Sequence, residues 1–231
     1  MDWMARTVPD RVDLRPKCPP VFDQGQLGSC TANAIGNAYR FDLLKQRKAA
    51  VFVPSRLFLY YNERAIEGTV KTDSGAMLRD GIKTLAKQGV CGESTWPYEI
   101  DRYADKPPAS AYREGLLHQA LSYQRLNQDS MQMKGCLASG FPIVFGFSVY
   151  ESFESPAVAR TGQVPMPGSG ERLVGGHAVL AVGYDDRRQQ FIVMNSWSAA
   201  WGDEGYFHMP YAYLASPQLA GDLWTVRTVE G

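Results

Sequence analysis

The sequence predicts an α+β fold in which a helical first half is followed by a second half rich in short strands. Before Pro107 and Pro108, apolar residues recur at helical spacing between capping residues. After these prolines the apolar segments are short, β-branched and aromatic, and turn-forming residues separate them. The two prolines therefore mark the expected junction between the halves.

Three helices are predicted in the first half of the chain. Apolar residues three and four positions apart indicate one helix of about four turns that begins near Cys30. Serines and glycines delimit two more, because a serine side chain can cap the first turn and a glycine can adopt the left-handed conformation that ends a helix. Their expected limits are Ser55 to Gly68 and Ser74 to Gly89.

Six short segments of the second half have the composition of strands, and an antiparallel sheet or barrel is their simplest assembly. They cover residues 121–126, 142–149, 177–184, 190–195, 205–209 and 223–229. One short helix is expected at 129–139. Residues 154–176 hold three prolines and five glycines, which indicates a long irregular loop.

Composition and charge restrict the classes of partner. The chain has 231 residues, enough to bury a substantial core, and its 24 basic residues balance 24 acidic ones. This balance gives no electrostatic reason to bind nucleic acid or an anionic membrane. No apolar run has the length of a membrane span and no signal peptide is recognisable, so we expect a soluble protein. A secreted or periplasmic location is favoured over a cytoplasmic one, although the compartment stays open.

The cysteines are too few for a disulfide scaffold in a chain of this length. They are Cys18, Cys30, Cys91 and Cys136. Pairing of Cys18 with Cys91 is one hypothesis, because each precedes a turn at the edge of a motif. Cys136 lies in an apolar stretch and is interpreted as a core residue. No group of cysteines and histidines has zinc spacing, and neither a metal nor another cofactor is expected.

Cys30 is the candidate nucleophile. It follows a glycine-rich turn and begins the first predicted helix, where unpaired N–H groups and the helix dipole stabilise a thiolate and lower the thiol pKa. His177 follows two glycines at the start of an apolar strand, so its imidazole is the candidate base. The other two histidines, His118 and His208, are interpreted as packing or surface residues.

Two amide side chains could complete the chemistry. Asn195 ends the strand after that of His177, so its amide oxygen could hold the imidazole N–H, with Trp197 covering the bond from water. Gln24 precedes Cys30 by one short turn. Its side-chain amide could donate to an oxyanion alongside the Cys30 backbone N–H.

Four blocks of sequence, in this order, resemble the papain family of cysteine peptidases and extend across the chain. They are Val12-Asp13-Leu14-Arg15, Asp23-Gln24-Gly25 with Gly28-Ser29-Cys30, Gly176-His177-Ala178-Val179 with Val182-Gly183-Tyr184, and Asn195-Ser196-Trp197 with Trp201-Gly202-Asp203-Glu204-Gly205-Tyr206. His177 follows Cys30 at the family's spacing of roughly 130–150 residues, and Asn195 lies slightly beyond it.

The resemblance implies one papain-like peptidase domain over residues 1–231 with two lobes and an active-site cleft between them. The helical left lobe would cover about residues 20–106, and an antiparallel β-barrel-like right lobe would combine about 107–231 with 1–19. The implied activity is that of a cysteine endopeptidase. Cys30 and His177 would form a thiolate–imidazolium pair, and a thioester acyl-enzyme would be the intermediate. Asn195 would hold His177, and Gln24 would contribute to the oxyanion hole.

The resemblance also assigns substrate-binding residues. They are Gly28, Ser29, Ser74, Gly75, Ala76, Met77, Gly146, Gly176 and Trp201. Ser74 and Gly75 would bind the backbone of an extended substrate, and Trp201 would flank the leaving group. Small residues around the pocket for the second side chain upstream of the cut suggest a roomy pocket for large apolar or aromatic groups.

Expected partners are peptide or protein substrates, with protein inhibitors or a propeptide that this chain does not contain, because the first block begins close to Met1. Three positions depart from the family pattern. Leu27 stands where the family usually has a cysteine, so the usual disulfide from that position is missing. Thr31 replaces an aromatic residue after the nucleophile, and Ser198 replaces a glycine.

Two other readings remain open at this point. One is an amidase or acyltransferase that uses similar machinery. Such enzymes usually orient the histidine with an acid or a second histidine, so Asn195 and Gln24 argue against it. The other is a catalytically silent homologue that binds peptides in a groove, which the presence of all the required side-chain types disfavours.

Overall fold

The computed structural model describes residues 8–48 and 51–230, which form two compact units. The helical unit contains residues 24–48, 51–124 and 226–230, and the sheet unit contains residues 8–23 and 125–225. The helices are α1 (Cys30–Lys45), α2 (Arg56–Glu67), α3 (Leu78–Lys87), α4 (Ala109–Gly115), α5 (Ser130–Ala138), α6 (Pro156–Thr161) and α7 (Tyr211–Ala215). The strands are β1 (Arg11–Asp13), β2 (Ala120–Arg125), β3 (Ile143–Tyr150), β4 (Leu173–Asp185), β5 (Gln190–Met194), β6 (Tyr206–Pro210) and β7 (Ala220–Val229).

In the helical unit, α1, α2 and α3 pack against one another. The side chain of Ser55 accepts a hydrogen bond from the Phe58 N–H, and Gly68 ends α2 in the left-handed conformation with φ 74°. Both ends of α2 therefore follow the predicted capping. The prediction that Ser74 marks the start of α3 is wrong, because Met77 is the N-cap residue. Gly75 has φ 72°, which a right-handed helix cannot include, and α3 begins only at Leu78.

In the sheet unit, the long strand β4 is central. It pairs antiparallel with β3 through its first part, where Phe147 lies opposite His177, and with β5 through its second part, where Leu180 lies opposite Met194. The short strand β1 pairs antiparallel with the last residues of β4, beyond the part that pairs with β3. This register brings the end of β5 next to the middle of β4, which sets the position of the residue that follows β5.

The sheet is an open path and not the barrel-like closure that the sequence suggested. Within the described residues its strands follow the order β2, β7, β3, β4, β5, β6, with β1 attached to β4. The two end strands, β2 and β6, each have a single neighbour along this path. Closure would need hydrogen bonds between these end strands, so the antiparallel sheet is confirmed and the barrel is not.

The segment 154–176 is more regular than the sequence analysis expected. It contains α6, whose N-cap Ser155 accepts a bond from the Val158 N–H and whose C-terminal Gly162 has φ 67°. It also includes the first residues of β4, which begins at Leu173. Ser155, Pro156 and Gly162 are ordinary start and stop signals, so this short helix was recognisable from the sequence.

No helix within residues 8–48 and 51–230 is both long enough and apolar enough to cross a membrane.

Candidate active site

Cys30 is the first residue of α1, a helix of 16 residues, and is half-buried. The chain reaches it through a tight turn in which Gly25 has φ 61°. The thiol therefore lies where the unpaired N–H groups of the first turn and the helix dipole favour a negative charge. This is the position that the sequence predicted for the nucleophile.

Gln24 is buried, and a hydrogen bond fixes the position of its side-chain amide. Its Nε2 atom donates to the Leu27 carbonyl at 3.0 Å, and the same carbonyl accepts the Ser29 N–H at 2.8 Å. The two bonds fold the turn before Cys30 back on itself. They hold the Gln24 amide within the loop that leads to the nucleophile.

A chain of hydrogen bonds supports this loop from behind, and sequence reasoning missed it. Asn33 Nδ2 donates to Ser29 Oγ at 3.0 Å. Ser29 Oγ lies 2.5 Å from the Tyr98 hydroxyl, which in turn donates to the Gln24 carbonyl at 2.9 Å. Ser29 and Asn33 are fully buried, so water does not compete for the bond between them. The network links both ends of the loop that carries Cys30.

Arg56 anchors the network. Its Nη1 atom donates to Asn33 Oδ1 at 3.1 Å, and its Nε atom donates to Glu93 at 2.6 Å. The guanidinium carbon lies 3.8 Å from the centre of the Tyr98 ring, a cation–π distance. No local pattern marks these residues, because they come from separate parts of the chain.

His177 lies on β4 of the sheet unit, and its side chain is buried. Its Nε2 atom lies 2.7 Å from Asn195 Oδ1. Asn195 directly follows β5, and its backbone N–H donates to Gly205 at 3.0 Å. With Nε2 committed to the amide oxygen, the Nδ1 atom is the one left for proton exchange.

Aromatic rings cover the bond between His177 and Asn195. The ring of Trp197 is stacked on the imidazole, with centroids 4.9 Å apart and planes at 25°. Phe147 contacts the imidazole edge-on at 5.8 Å. Trp201 packs against Trp197 at 5.3 Å and is half-buried. This apolar cover excludes water and strengthens the hydrogen bond beneath it.

The environment of His177 favours the neutral imidazole. Burial lowers its pKa to about 4, and the hydrogen bond to Asn195, which works in the opposite direction, compensates only in part. An imidazolium at this position therefore needs an anion beside it.

The proposed substrate-binding residues are divided between the two units. Gly28, Ser29, Ser74, Gly75, Ala76 and Met77 belong to the helical unit, and Gly146, Gly176 and Trp201 belong to the sheet unit. Gly146 lines a cavity of about 330 Å³ in the sheet unit, together with the segment from Pro217 to Asp222. Gly176 is exposed and is not among the residues lining that cavity. Residues 217–222 were not among the substrate-binding residues predicted from the sequence.

The remaining cysteine and histidine predictions have mixed outcomes. Cys18 and Cys91 are free thiols, so the disulfide suggested between them is wrong. Burial raises the pKa of each to about 12, which keeps both protonated and inert. His208 contacts Asp203 at 2.9 Å, and His118 packs on the Phe52 ring with centroids 4.5 Å apart. Their interpretation as packing or surface residues stays a prediction.

The chain resembles known cysteine proteases along most of its length. The model of the papain family of cysteine proteases matches residues 8–216. An uncharacterized peptidase C1-like protein, L477, from Acanthamoeba polyphaga mimivirus is 49% identical over 222 residues, which cover 93% of this chain and 71% of the viral protein. A cathepsin B-like protein, CP3, from Giardia intestinalis is 30% identical, covering 89% of this chain and 70% of its own.

Solved structures agree with these relationships. Xylellain, a cysteine protease from Xylella fastidiosa, superposes with a TM-score of 0.91 at 45% sequence identity, covering 97% of this chain and 88% of its own. Digestive procathepsin L 3 from the larval midgut of Tenebrio molitor has a TM-score of 0.76 at 20% identity, covering 98% of this chain and 72% of its own. The second likeness concerns the fold alone.

Proposed function

Because the chain belongs to the papain family of cysteine proteases, we propose that Cys30, His177 and Asn195 are its catalytic residues. In this proposal Gln24 and the Cys30 backbone N–H form the oxyanion hole, and the protein is an endopeptidase that cleaves within extended peptide chains. The buried bond between His177 Nε2 and Asn195 Oδ1 at 2.7 Å is the observation that carries the proposal. It fixes the imidazole in the orientation that leaves Nδ1 for the thiol.

The resting enzyme would hold a thiolate on Cys30 and an imidazolium on His177. The first turn of α1 favours the thiolate. Because burial by itself holds the pKa of His177 at about 4, the imidazolium depends on the charge of that thiolate. Each ion thus stabilises the other, and Asn195 orients the ring through a neutral amide without discharging the pair.

The first half of the reaction forms the acyl-enzyme. The Cys30 thiolate attacks the peptide carbonyl carbon, and the carbonyl oxygen becomes an oxyanion that accepts bonds from Gln24 Nε2 and the Cys30 N–H. The intermediate then collapses as its carbon–nitrogen bond breaks. His177 donates its proton to the departing amine, which leaves a thioester on Cys30 and a neutral imidazole.

The second half restores the enzyme. Neutral His177 takes a proton from water while the water oxygen attacks the thioester carbonyl, and the same donors stabilise the second oxyanion. Cleavage of the carbon–sulfur bond releases the carboxylic acid product and returns the thiolate to Cys30. No cofactor enters either half.

Substrate preference follows from the small residues around the proposed pocket for the second upstream side chain. Ala76, Gly146 and Gly176 are all small, so in this proposal the pocket would accept a large apolar or aromatic group. Gly146 also borders a cavity of about 330 Å³ within the sheet unit. A positional-scanning peptide library checks this part of the proposal. Selection of small side chains at that position would contradict it.

Hydrolysis of dye-releasing peptides tests the catalytic assignment. Replacement Cys30→Ala should abolish turnover, with a loss of roughly a thousandfold or more, because the covalent step disappears. Cys18→Ala is the matched control. It also removes a thiol, but burial raises the pKa of Cys18 to about 12, so turnover should persist. Equal activity of Cys30→Ala and the unaltered chain would refute the assignment.

A further inference from the structure

A carboxylate in the helical unit joins the loop before Cys30 to the proposed backbone-binding segment. The Gly28 N–H donates to both carboxylate oxygens of Asp73, at 3.0 and 3.1 Å. The Tyr60 hydroxyl donates to Asp73 Oδ1 at 2.5 Å and accepts the Gly75 N–H at 3.1 Å. One carboxylate and one phenol therefore connect Gly28, two residues before the candidate nucleophile, with Gly75.

A buried arginine fixes the rest of this segment. Arg64 is fully buried, and its Nη1 atom donates to the carbonyls of Val70 at 2.8 Å and Thr72 at 3.0 Å. Its guanidinium carbon lies 3.9 Å from the centre of the Tyr60 ring. Arg64 thus holds the chain just before Asp73 and also holds the ring whose hydroxyl binds Asp73.

The packing at Gly28 fits this contact closely. A Cβ atom added to Gly28 would lie 2.9 Å from Asp73 Oδ1, closer than carbon and oxygen normally approach. Burial, together with the bond to Asp73, raises the pKa of Tyr60, so its hydroxyl remains a donor across the physiological range. Asp73 itself is exposed, so its place is set by these bonds and not by burial.

We propose that Asp73, acting with Tyr60, is a positioning residue that holds Ser74 and Gly75 against the loop before Cys30 and so sets the affinity for peptide substrates. The chain has Leu27 where its family usually places a cysteine, and the carboxylate supplies a non-covalent link between loops in a region where the usual disulfide is missing. The inference rests on the proposed function of Ser74 and Gly75.

The contacts predict an effect on KM more than on kcat. The loop that carries Cys30 is separately held by the hydrogen bonds through Asn33, Ser29 and Tyr98, and none of these passes through Asp73. Loss of Asp73 should therefore release Gly75 while the nucleophile stays in place. For Asp73→Ala we expect a KM about tenfold higher for a peptide that extends upstream of the cut, and a kcat changed by less than about threefold.

Two conservative variants separate this role from a general effect on folding. Asp73→Asn keeps an oxygen that can accept from Gly28 and Tyr60, so it should restore most of the affinity lost in Asp73→Ala. Tyr60→Phe keeps the ring on Arg64 but removes the hydroxyl that binds Asp73 and Gly75, so KM should rise. Asp101→Ala is the matched control, because it removes one exposed carboxylate of the same unit. It should leave KM unchanged.

Amide hydrogen exchange gives a readout that does not depend on catalysis. In Asp73→Ala the amides of Gly28 and Gly75 should exchange at least about tenfold faster, whereas in Asp101→Ala they should not change. Unchanged KM and unchanged exchange in both Asp73→Ala and Tyr60→Phe would overturn the inference. Failure of the proposed function would look different, since Cys30→Ala would then hydrolyse peptides as fast as the unaltered chain.

Discussion

The Nε2 atom of His177 lies 2.7 Å from Oδ1 of Asn195, and the Trp197 ring is stacked on the same imidazole. The amide oxygen accepts one ring N–H, so it determines which nitrogen faces away from it. Because the pair is buried, small changes in this bond should have large effects on the proposed proton transfer.

Asn195→Ala should lower kcat about ten- to a hundredfold, because a hydrogen bond to an imidazolium is lost and the ring can rotate. KM should change little, since Asn195 is not among the proposed substrate-binding residues. Steady-state kinetics with a dye-releasing peptide measure both constants. Asn127→Ala, at an exposed position of the sheet unit, is the control and should behave like the unaltered protein. Equal kcat in all three proteins would contradict the orienting role.

The protonation of His177 should depend on the sulfur of Cys30. In Cys30→Ser no thiolate can form, so His177 should follow its own lowered pKa of about 4 and be neutral at about pH 6. In the unaltered protein the thiolate should hold the imidazolium at the same pH. Nitrogen chemical shifts of the His177 ring measure this difference, with His118 as an internal reference that should titrate equally in both proteins. If the His177 imidazole is neutral in both proteins, the resting enzyme does not contain the proposed thiolate–imidazolium pair.

Tyr98→Phe should lower kcat about two- to tenfold, because the hydroxyl between Ser29 and the Gln24 carbonyl is removed from the loop that carries the nucleophile. The ring and its stacking on Arg56 are kept, so the melting temperature should change by only a few degrees. Tyr103→Phe is the control, since its hydroxyl donates an exposed bond to the Lys71 carbonyl, outside this network. An unaltered kcat in Tyr98→Phe would show that this network does not position the loop.

Glu63 should make the protein less stable as pH rises. Burial raises the pKa of this carboxyl from 4.5 to about 8, and its bond with Thr31 at 2.6 Å offsets this only in part. The folded state therefore keeps a proton that the unfolded state releases, so the free energy of unfolding should fall between pH 4.5 and about 8. Glu63→Gln carries no such proton and should be more stable at pH 8 by an amount on the order of 1 kcal/mol.

Denaturant unfolding at several pH values measures the Glu63 effect. Glu99→Gln is the matched control, because it makes the same substitution at an exposed position. If the free energy of unfolding depends on pH in the same way for Glu63→Gln and the unaltered chain, Glu63 is ionised in the folded protein and the prediction is wrong.

Local sequence was sufficient for much of the fold. The ends of α2 followed from Ser55 and Gly68, and the helix after Cys30 followed from its apolar spacing, because caps and periodicity act within a few residues. The same kind of signal was misleading at Ser74. This residue resembles a helix cap, but it is followed by Gly75 in the left-handed conformation, and the helix begins later, at Leu78. The papain-like α+β fold is confirmed, whereas the barrel was wrong, because closure depends on the pairing of strands distant in sequence.

By itself the sequence determined which side chains are available for a cysteine protease and the order in which they occur. Only the tertiary structure decided which of these side chains form hydrogen bonds with one another. It pairs Asn195 Oδ1 with Nε2 of His177. It also joins Ser29 to Gln24 through the Tyr98 hydroxyl, and the Gly28 N–H to Asp73. These contacts join residues that lie 18 to 74 positions apart in the chain. Local patterns record helix ends and strand faces, but a hydrogen bond between distant segments exists only after the elements between them have packed.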